Sequence, residues 1–289
     1  MFSFFANMFG YLLNYIYMFI QNFGIAIILF SIILKVILLP LSIKQQGTMK
    51  KSAKLQGEVK EIQRKYKNNQ EKINQETMEL YKREKMNPFS GCLSSIVQIV
   101  LLFSVFYLVR SPLTYMKKVE KPIIDNYINE IKEEDSNANT AYPEISVIQH
   151  KGGEDERVNL NMNFLGIDLS KVPTQSNNDP KVYIIPILYV LTTFVSTRMT
   201  TKMQEKNNTK KDIIVENESK ELKKETEEVD AMAQANKSMS WLMPIMSVSI
   251  AIIAPLGLAL YWLINNVLMI IERLIIDKFF QPKEDENNV

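Results

Sequence analysis

Lys35 is the residue whose setting most constrains the chemistry open to this 289-residue chain. It is the one charged side chain between Met1 and Ile43, whereas residues 44–88 carry 18. It stands twelve residues into an apolar run, Phe23–Ile43, and eight from the far end of that run. At about 1.5 Å per residue the end is about 12 Å away, beyond the roughly 6 Å stem with which a lysine snorkels to an interface. A lysine at such depth costs about 2.5–3.5 kcal/mol unless it meets water or a partner. The spans proper are read as holding no Asp or Glu, so a water-filled cavity open to the cytoplasm is expected in place of a buried ion pair. Without water the amine would lose its proton, so a useful charge requires hydration. On this reading Lys35→Ala leaves the fold intact or slightly firmer.

Other polar residues stand in apolar surroundings: Ser94, Ser95 and Gln98, then Thr192, Thr193 and Ser196, then Asn265 and Asn266. Serine and threonine commonly bond back to their own helix, so a lining role is better expected of Gln98 and Asn265. Covalent and metal chemistry find little support. One cysteine, Cys92, excludes a disulfide framework and reads as a small packing residue; one histidine, His150, leaves no recognisable zinc site and reads as an exposed loop residue. The nine glycines form neither a phosphate-cradling loop nor a dinucleotide fingerprint. No metal, no cofactor and no enzyme activity are therefore expected.

These residues need a scaffold of membrane-spanning helices, each roughly 20 apolar residues long. Expected spans are 23–43, 89–109, 182–200 (extended by snorkelling of Lys181 and Arg198), 238–253 and 257–277, the last two separated at Ala254-Pro255-Leu256-Gly257. Loops 44–88 and 198–237 hold 12 and 9 Lys or Arg in 45 and 40 positions, against 9 in the 72 of loop 110–181. Parity and the positive-inside rule together put the N-terminus outside and the tail, 278–289, in the cytoplasm. Residues 1–22, with eight aromatics between Phe2 and Ile20, read as a helix lying at the outer interface; a sixth span is the alternative.

The first loop reads as a cytoplasmic helical hairpin. Leu55, Val59, Ile62 and Tyr66 repeat at helical spacing, as do Ile73, Thr77 and Leu80, and Asn68 with Glu71 suits a capping box. Its 12 basic against 6 acidic residues suit either anionic lipid or an acidic or RNA-bearing partner. No motif reads nucleic-acid sequence, and no DNA binding is expected. In the outer loop, Ile123, Ile124, Tyr127, Ile128 and Ile131 suggest an amphipathic helix, and Ile145–Gln149 and Val158–Leu165 suggest strands. Residues 201–237 are expected to extend the flanking helices.

Several stretches, in order along the chain, resemble the YidC/Oxa/Alb family of membrane protein insertases in its Gram-positive-like form. They are Gly24-Ile25-Ala26-Ile27-Ile28 leading through Lys35 to Leu38-Leu39-Pro40-Leu41, Lys65-Tyr66-Lys67, Leu80-Tyr81-Lys82, Asn87-Pro88, and Gly91-Cys92-Leu93 with Gln98. Phe164–Leu169, Trp241–Met246 and Pro255–Asn265 complete the set. The resemblance implies an all-α polytopic protein of the bacterial plasma membrane, with five transmembrane helices, N-out and C-in. It also implies a hydrophilic, positively charged groove open to the cytoplasm and lipid. Lys35 then occupies the place of the family's usual arginine, with Gln98, Thr193, Trp262 and Asn265 as the remaining substrate-binding groove residues. Implied partners are nascent membrane proteins with short acidic or polar tails, the ribosome, the Sec translocon and anionic lipids. Ser94 and Val100 stand where the family often has prolines, and the outer loop Val119–Asn159 is longer than in compact relatives. The alternative is a small-solute or ion transporter using Lys35, although internal repeats are absent.

Overall fold

The computed structural model describes residues 2–66, 69–84, 90–134, 141–176, 178–215 and 249–279, without the side chains of 49–54, 56, 60, 90–96, 98, 200–215, 277 and 279. The protein is mainly helical. Its helices are α1 (Phe2–Ile20), α2 (Phe23–Lys65), α3 (Gln70–Arg83), α4 (Ser90–Arg110), α5 (Lys121–Glu134), α6 (Pro143–Lys151), α7 (Ile184–Val215) and α8 (Leu256–Phe279). Three segments among the described residues are long and apolar enough to cross a membrane: Phe23–Thr48, Pro180–Met199 and Leu256–Ile276. Ile99–Arg110 is a shorter apolar stretch. The expected span 238–253 lies mostly outside the described residues; only 249–253 are seen, and they are helical.

The chain forms two compact units: residues 1–37, 99–196 and 242–289, and residues 38–98 and 197–241. In the first, one cap collects the ends of several helices. Its centre is a tight hairpin in which β1 (Asn163–Phe164) pairs antiparallel with β2 (Ile167–Asp168). The two linking residues, Leu165 and Gly166, have φ of 51° and 78°, the left-handed pair that a two-residue hairpin loop requires. Phe164 covers the start of α2 so closely that a Cβ on Gly24 would lie 2.6 Å from its ring.

Helix starts leave amides without partners inside the helix, and the cap supplies acceptors for them. Asn22 accepts from Ile25 N (3.1 Å) and donates to Asn163 O (2.7 Å), while Phe23 N donates to Asn161 O. Leu256 N and Gly257 N donate to the carbonyls of Lys171 (2.9 Å) and Leu169 (2.8 Å). Asp179 caps the short turn Pro180–Tyr183 that leads into α7. At the end of α4, Arg110 donates to Ala141 O (3.0 Å), so the starts of α2, α7 and α8 and the end of α4 share one cap; α2, α7 and α8 run away from it and α4 runs towards it.

Helix α1 lies against this end. A Cβ on Gly10 would fall 1.9 Å from the carbonyl oxygen of Tyr115, so only glycine permits the approach. Phe9 meets the Phe30 ring, Phe2 meets Phe103, and the Tyr17 hydroxyl accepts from Asn161 N. Phe30 and Phe103 each stand seven residues, about 10 Å, from the capped ends of their helices. A helix running antiparallel to α2 for its full length would carry Phe2 roughly 28 Å from the cap. Helix α1 therefore stays near the capped end.

Two elements of the cap depart from the sequence reading. Ile145–Gln149, expected as a strand, belongs to α6: Pro143 opens the helix, Glu144 stands in its first turn and His150 and Lys151 in its last, which complements the helix dipole. His150 is exposed as expected, but on a helix, with Nδ1 2.9 Å from Ser146 O. In Val158–Leu165 only Asn163 and Phe164 are strand. The amphipathic helix expected around Ile123–Ile131 is present as α5, which buries Ile124 and Ile131.

In the second unit the arms of the helical hairpin are the far part of α2 and α3. Tyr66 Oη meets Glu76 Oε1 (3.1 Å) and Arg83 pairs with Glu58 (2.9 Å), which sets the arms antiparallel. Leu55 and Leu80 are buried. The helix does not end with the apolar run at Ile43: α2 continues through Pro40 to Lys65 over about 65 Å. Proline removes one backbone hydrogen bond without ending the helix here. The cap of α3 is Asn69, whose side chain accepts from Lys72 N (3.0 Å); Asn68, the expected cap, lies outside the described residues.

Candidate functional site

Away from the cap the bundle of the first unit opens. On α2 the buried residues Phe23, Ala26, Ile27, Phe30 and Ser31 give way to half-buried Leu34 and Lys35. On α8 residues 256–261 are buried, whereas 264–270 are all half-buried. The opposite faces are apolar and exposed, as at Ile33, Val36 and Ile37 on α2 and Leu274 and Ile275 on α8. Such surface suits hydrocarbon, not water.

Helices α7 and α8 meet in three rungs. Tyr189 and Trp262 pack ring against ring, with centroids 6.1 Å apart. Asn266 Nδ2 donates to Thr193 Oγ1 at 2.7 Å, and Arg273 Nη1 reaches Ser196 O at 3.5 Å. Positions 189, 193 and 196 on one helix and 262, 266 and 273 on the other each recur near the helical period, so each set forms one stripe. Both series ascend together, so the two helices run in the same direction. Thr192 instead bonds back to Tyr189 O (2.9 Å), the local habit of threonine.

Lys35 has a partner. Its Nζ lies 2.6 Å from Glu272 Oε2, with side-chain exposures of 23% and 7%. This overturns the expectation of a lysine with water alone for company, since Glu272 lies inside the last apolar segment and the count of span carboxylates missed it. Glu272 stands sixteen residues, about 24 Å, along α8 from the cap. The pair satisfies both needs of a charge at that depth: Coulomb attraction in a medium of low dielectric, and partial access to water for the amine. The satisfaction is incomplete, because Glu272 Oε1 is buried and without a hydrogen-bond partner among the described residues.

Of the residues expected to line a groove, Lys35 is joined to α8, and Thr193 and Trp262 both stand at the α7–α8 contact. Asn265 is half-buried, and its neighbour Asn266 makes the bond to α7. The side chains of Gln98, Ser94, Ser95 and Cys92 lie outside the described residues. Sequence reasoning missed Glu272 and Arg273; the available signal was an acidic and a basic residue inside a segment otherwise uncharged from Ser238 onward. Among the described residues no group of three His, Cys, Asp or Glu could hold a metal ion.

Comparison with known proteins gives the site a context. The profile of the family described as 60Kd inner membrane protein matches residues 15–284. The membrane protein insertase YidC of Caldanaerobacter subterraneus is 26% identical over 266 residues, covering 92% of this chain and 90% of that protein. YidC of Fusobacterium nucleatum is 46% identical over 102 residues, which is 35% of this chain and 50% of the relative. YidC of Geobacter metallireducens is 26% identical over 272 residues, 94% of this chain but 36% of the relative's length.

Proposed function

Because the chain belongs to the 60Kd inner membrane protein family, and its relatives carry the name membrane protein insertase, we propose that this multi-pass membrane protein inserts other membrane proteins into the bilayer. The observation that carries the reading is the half-buried polar surface that Lys35, Thr193, Asn265 and Asn266 give to helices whose other faces are apolar and whose capped ends are buried. Such a face shortens the apolar distance that a substrate's polar tail must cross. The substrate's own apolar segment then moves into lipid, and burying roughly 20 apolar residues supplies the free energy. The membrane potential adds about 2.3 kcal/mol per charge per 100 mV for an acidic tail moving outward.

In this reading the cap faces outward, five helices span the membrane, α1 lies in the outer leaflet's interface, and the hairpin stands in the cytoplasm. Lys44, Arg64, Lys65, Lys72, Lys82 and Arg83 are all exposed, a surface suited to anionic lipid, the ribosome or a Sec partner. Deleting residues 55–80 leaves a membrane-inserted protein but weakens insertion of nascent chains; unimpaired insertion by the stable deletion would make the hairpin dispensable.

Purified protein in liposomes, presented with a small single-span substrate, tests the proposal. The expected result is insertion scored by protease protection of the substrate, without ATP. The intramembrane ion pair also suits a small-solute or ion transporter. Uptake of radiolabelled solute by the same liposomes, with no insertion, would favour that rival.

A further inference from the structure

Lys35 meets Glu272 at 2.6 Å, so the cation of the site is already occupied by a carboxylate of the chain itself. We infer that Glu272 is a built-in competitor: it holds the place that an acidic residue of a substrate's tail takes during insertion, and must be displaced for that residue to bind Lys35. The inference deepens the insertase reading and rests on it.

Three observations support displacement over a permanent tie. The pair is unevenly buried, with Lys35 keeping 23% of its side chain exposed and Glu272 only 7%. A second carboxylate can therefore approach the amine from its open side. Glu272 is held by one oxygen, since Oε1 is buried without a hydrogen-bond partner among the described residues. A carboxylate with several donors would be fixed, whereas this one stays poorly satisfied after desolvation. Lastly, Lys35 is half-buried on α2 beside Leu34, with no other ion-pair partner among the described residues.

The consequence is a threshold. With Glu272 in place Lys35 is neutralised, so a tail without acidic groups meets a net uncharged site and an acidic tail gains only what it wins in exchange for Glu272. Removing the competitor leaves the amine unpaired and increases its preference for acidic tails. Glu272 is then a specificity-determining residue, and an isosteric change exposes it.

The experiment uses the full chain in liposomes and two substrates that differ only in tail acids, Asp and Glu against Asn and Gln. The readout is the ratio of acidic-tail to amide-tail insertion. Glu272→Gln keeps the size of the side chain and removes its negative charge; it is expected to raise the ratio roughly fivefold or more, the lower range for coupling between two binding events. Insertion by both proteins with an unchanged ratio would overturn the displacement inference alone. No insertion by the wild type would overturn the insertase reading and this inference with it. A measurement on the wild type guards against misfolding of the variant. A membrane-permeant carbodiimide joins a carboxylate to an amine in contact, and should link Lys35 to Glu272 in the resting protein. Acidic-tail substrate is expected to replace that link by one from Lys35 to the tail, while amide-tail substrate leaves it in place. Persistence of the Lys35–Glu272 link while acidic tails are inserted would equally overturn the inference.

Discussion

Glu144 in the cap and Glu272 in the bundle are buried to the same extent, each 7% exposed, yet they are satisfied in different ways. Glu144 has donors on both oxygens, Thr114 N at 3.0 Å on one and the Thr114 hydroxyl at 2.6 Å on the other. It accepts from the first turn of the π-helical segment Leu113–Lys117 and pairs with no cation among the described residues. Glu272 has a cation and one oxygen left over. The first arrangement holds a loop in one place, because two short bonds must break together. The second can exchange partners, because a single contact gives way to an equivalent one. Rigidity belongs to the capped end and exchangeability to the open one.

On the proposed orientation the cap and the hairpin lie on opposite sides of the membrane, and labelling tests that first with an all-or-none outcome. A single cysteine at Glu154, exposed on the cap, should react with an impermeant thiol reagent in intact cells, and one at Asn69, at the tip of the hairpin, should not. Labelling of Asn69→Cys in intact cells would reverse the orientation.

Next in size is the effect of leaving Glu272 alone. Lys35→Ala should destabilise the protein by about 3 kcal/mol, the lower end for breaking a buried pair, because Lys35 keeps some contact with water. This reverses the outcome expected when Lys35 was taken to have no counter-ion. Lys35→Arg should preserve both stability and insertion of acidic tails. Thermal midpoints in detergent and insertion at matched protein levels provide the check; a Lys35→Ala protein as stable as the wild type would mean that the pair contributes little.

Glu144→Ala should cost about 1–3 kcal/mol by leaving the Thr114 amide and hydroxyl without an acceptor. Hydrogen exchange should speed up locally, in α6 and at Leu113–Lys117. Equal loss of protection across α8 would abolish the distinction between the two ends.

The smallest expected effect is a pH slope. Burial raises the Glu144 carboxyl above its ordinary 4.5, and the bonds from Thr114 only partly oppose it. The folded cap therefore binds more protons than the unfolded chain between 4.5 and the raised value, so it gains stability as pH falls through that window. Amide exchange in α6 should slow, after correction for intrinsic rates, and Glu144→Ala should remove the trend. A slope of opposite sign would show that hydrogen bonding outweighs desolvation.

Much of this was visible along the chain, and the misses have identifiable causes. The amphipathic spacing of Ile123–Ile131 produced α5, and the apolar stripes Leu55–Ile62 and Ile73–Leu80 both lie in helices, because burying one face needs only a local period. Ile145–Gln149 failed because α6 buries Glu144 through Ile148 consecutively, so periodicity was silent and the β-branched residues misled. Pro143 and Glu144 at the start, with His150 and Lys151 at the end, carried the better signal. The cap of α3 was misplaced by one residue because Asn68 and Asn69 are chemically identical candidates.

What the sequence determined by itself is the membrane character of the chain, the order of its apolar helices and the segregation of charge between them, all properties of local composition. The tertiary structure decided which polar residues meet. Adjacent residues on a helix point about 100° apart, so the rotation of α8 against α7, set by packing, selects Asn266 over Asn265 for Thr193. The partner of Lys35 comes from the other end of the chain, and no pattern of spacing links them. Only the shared cap, which sends α2 and α8 away in the same direction, brings lysine and glutamate to depths where desolvation makes them pair.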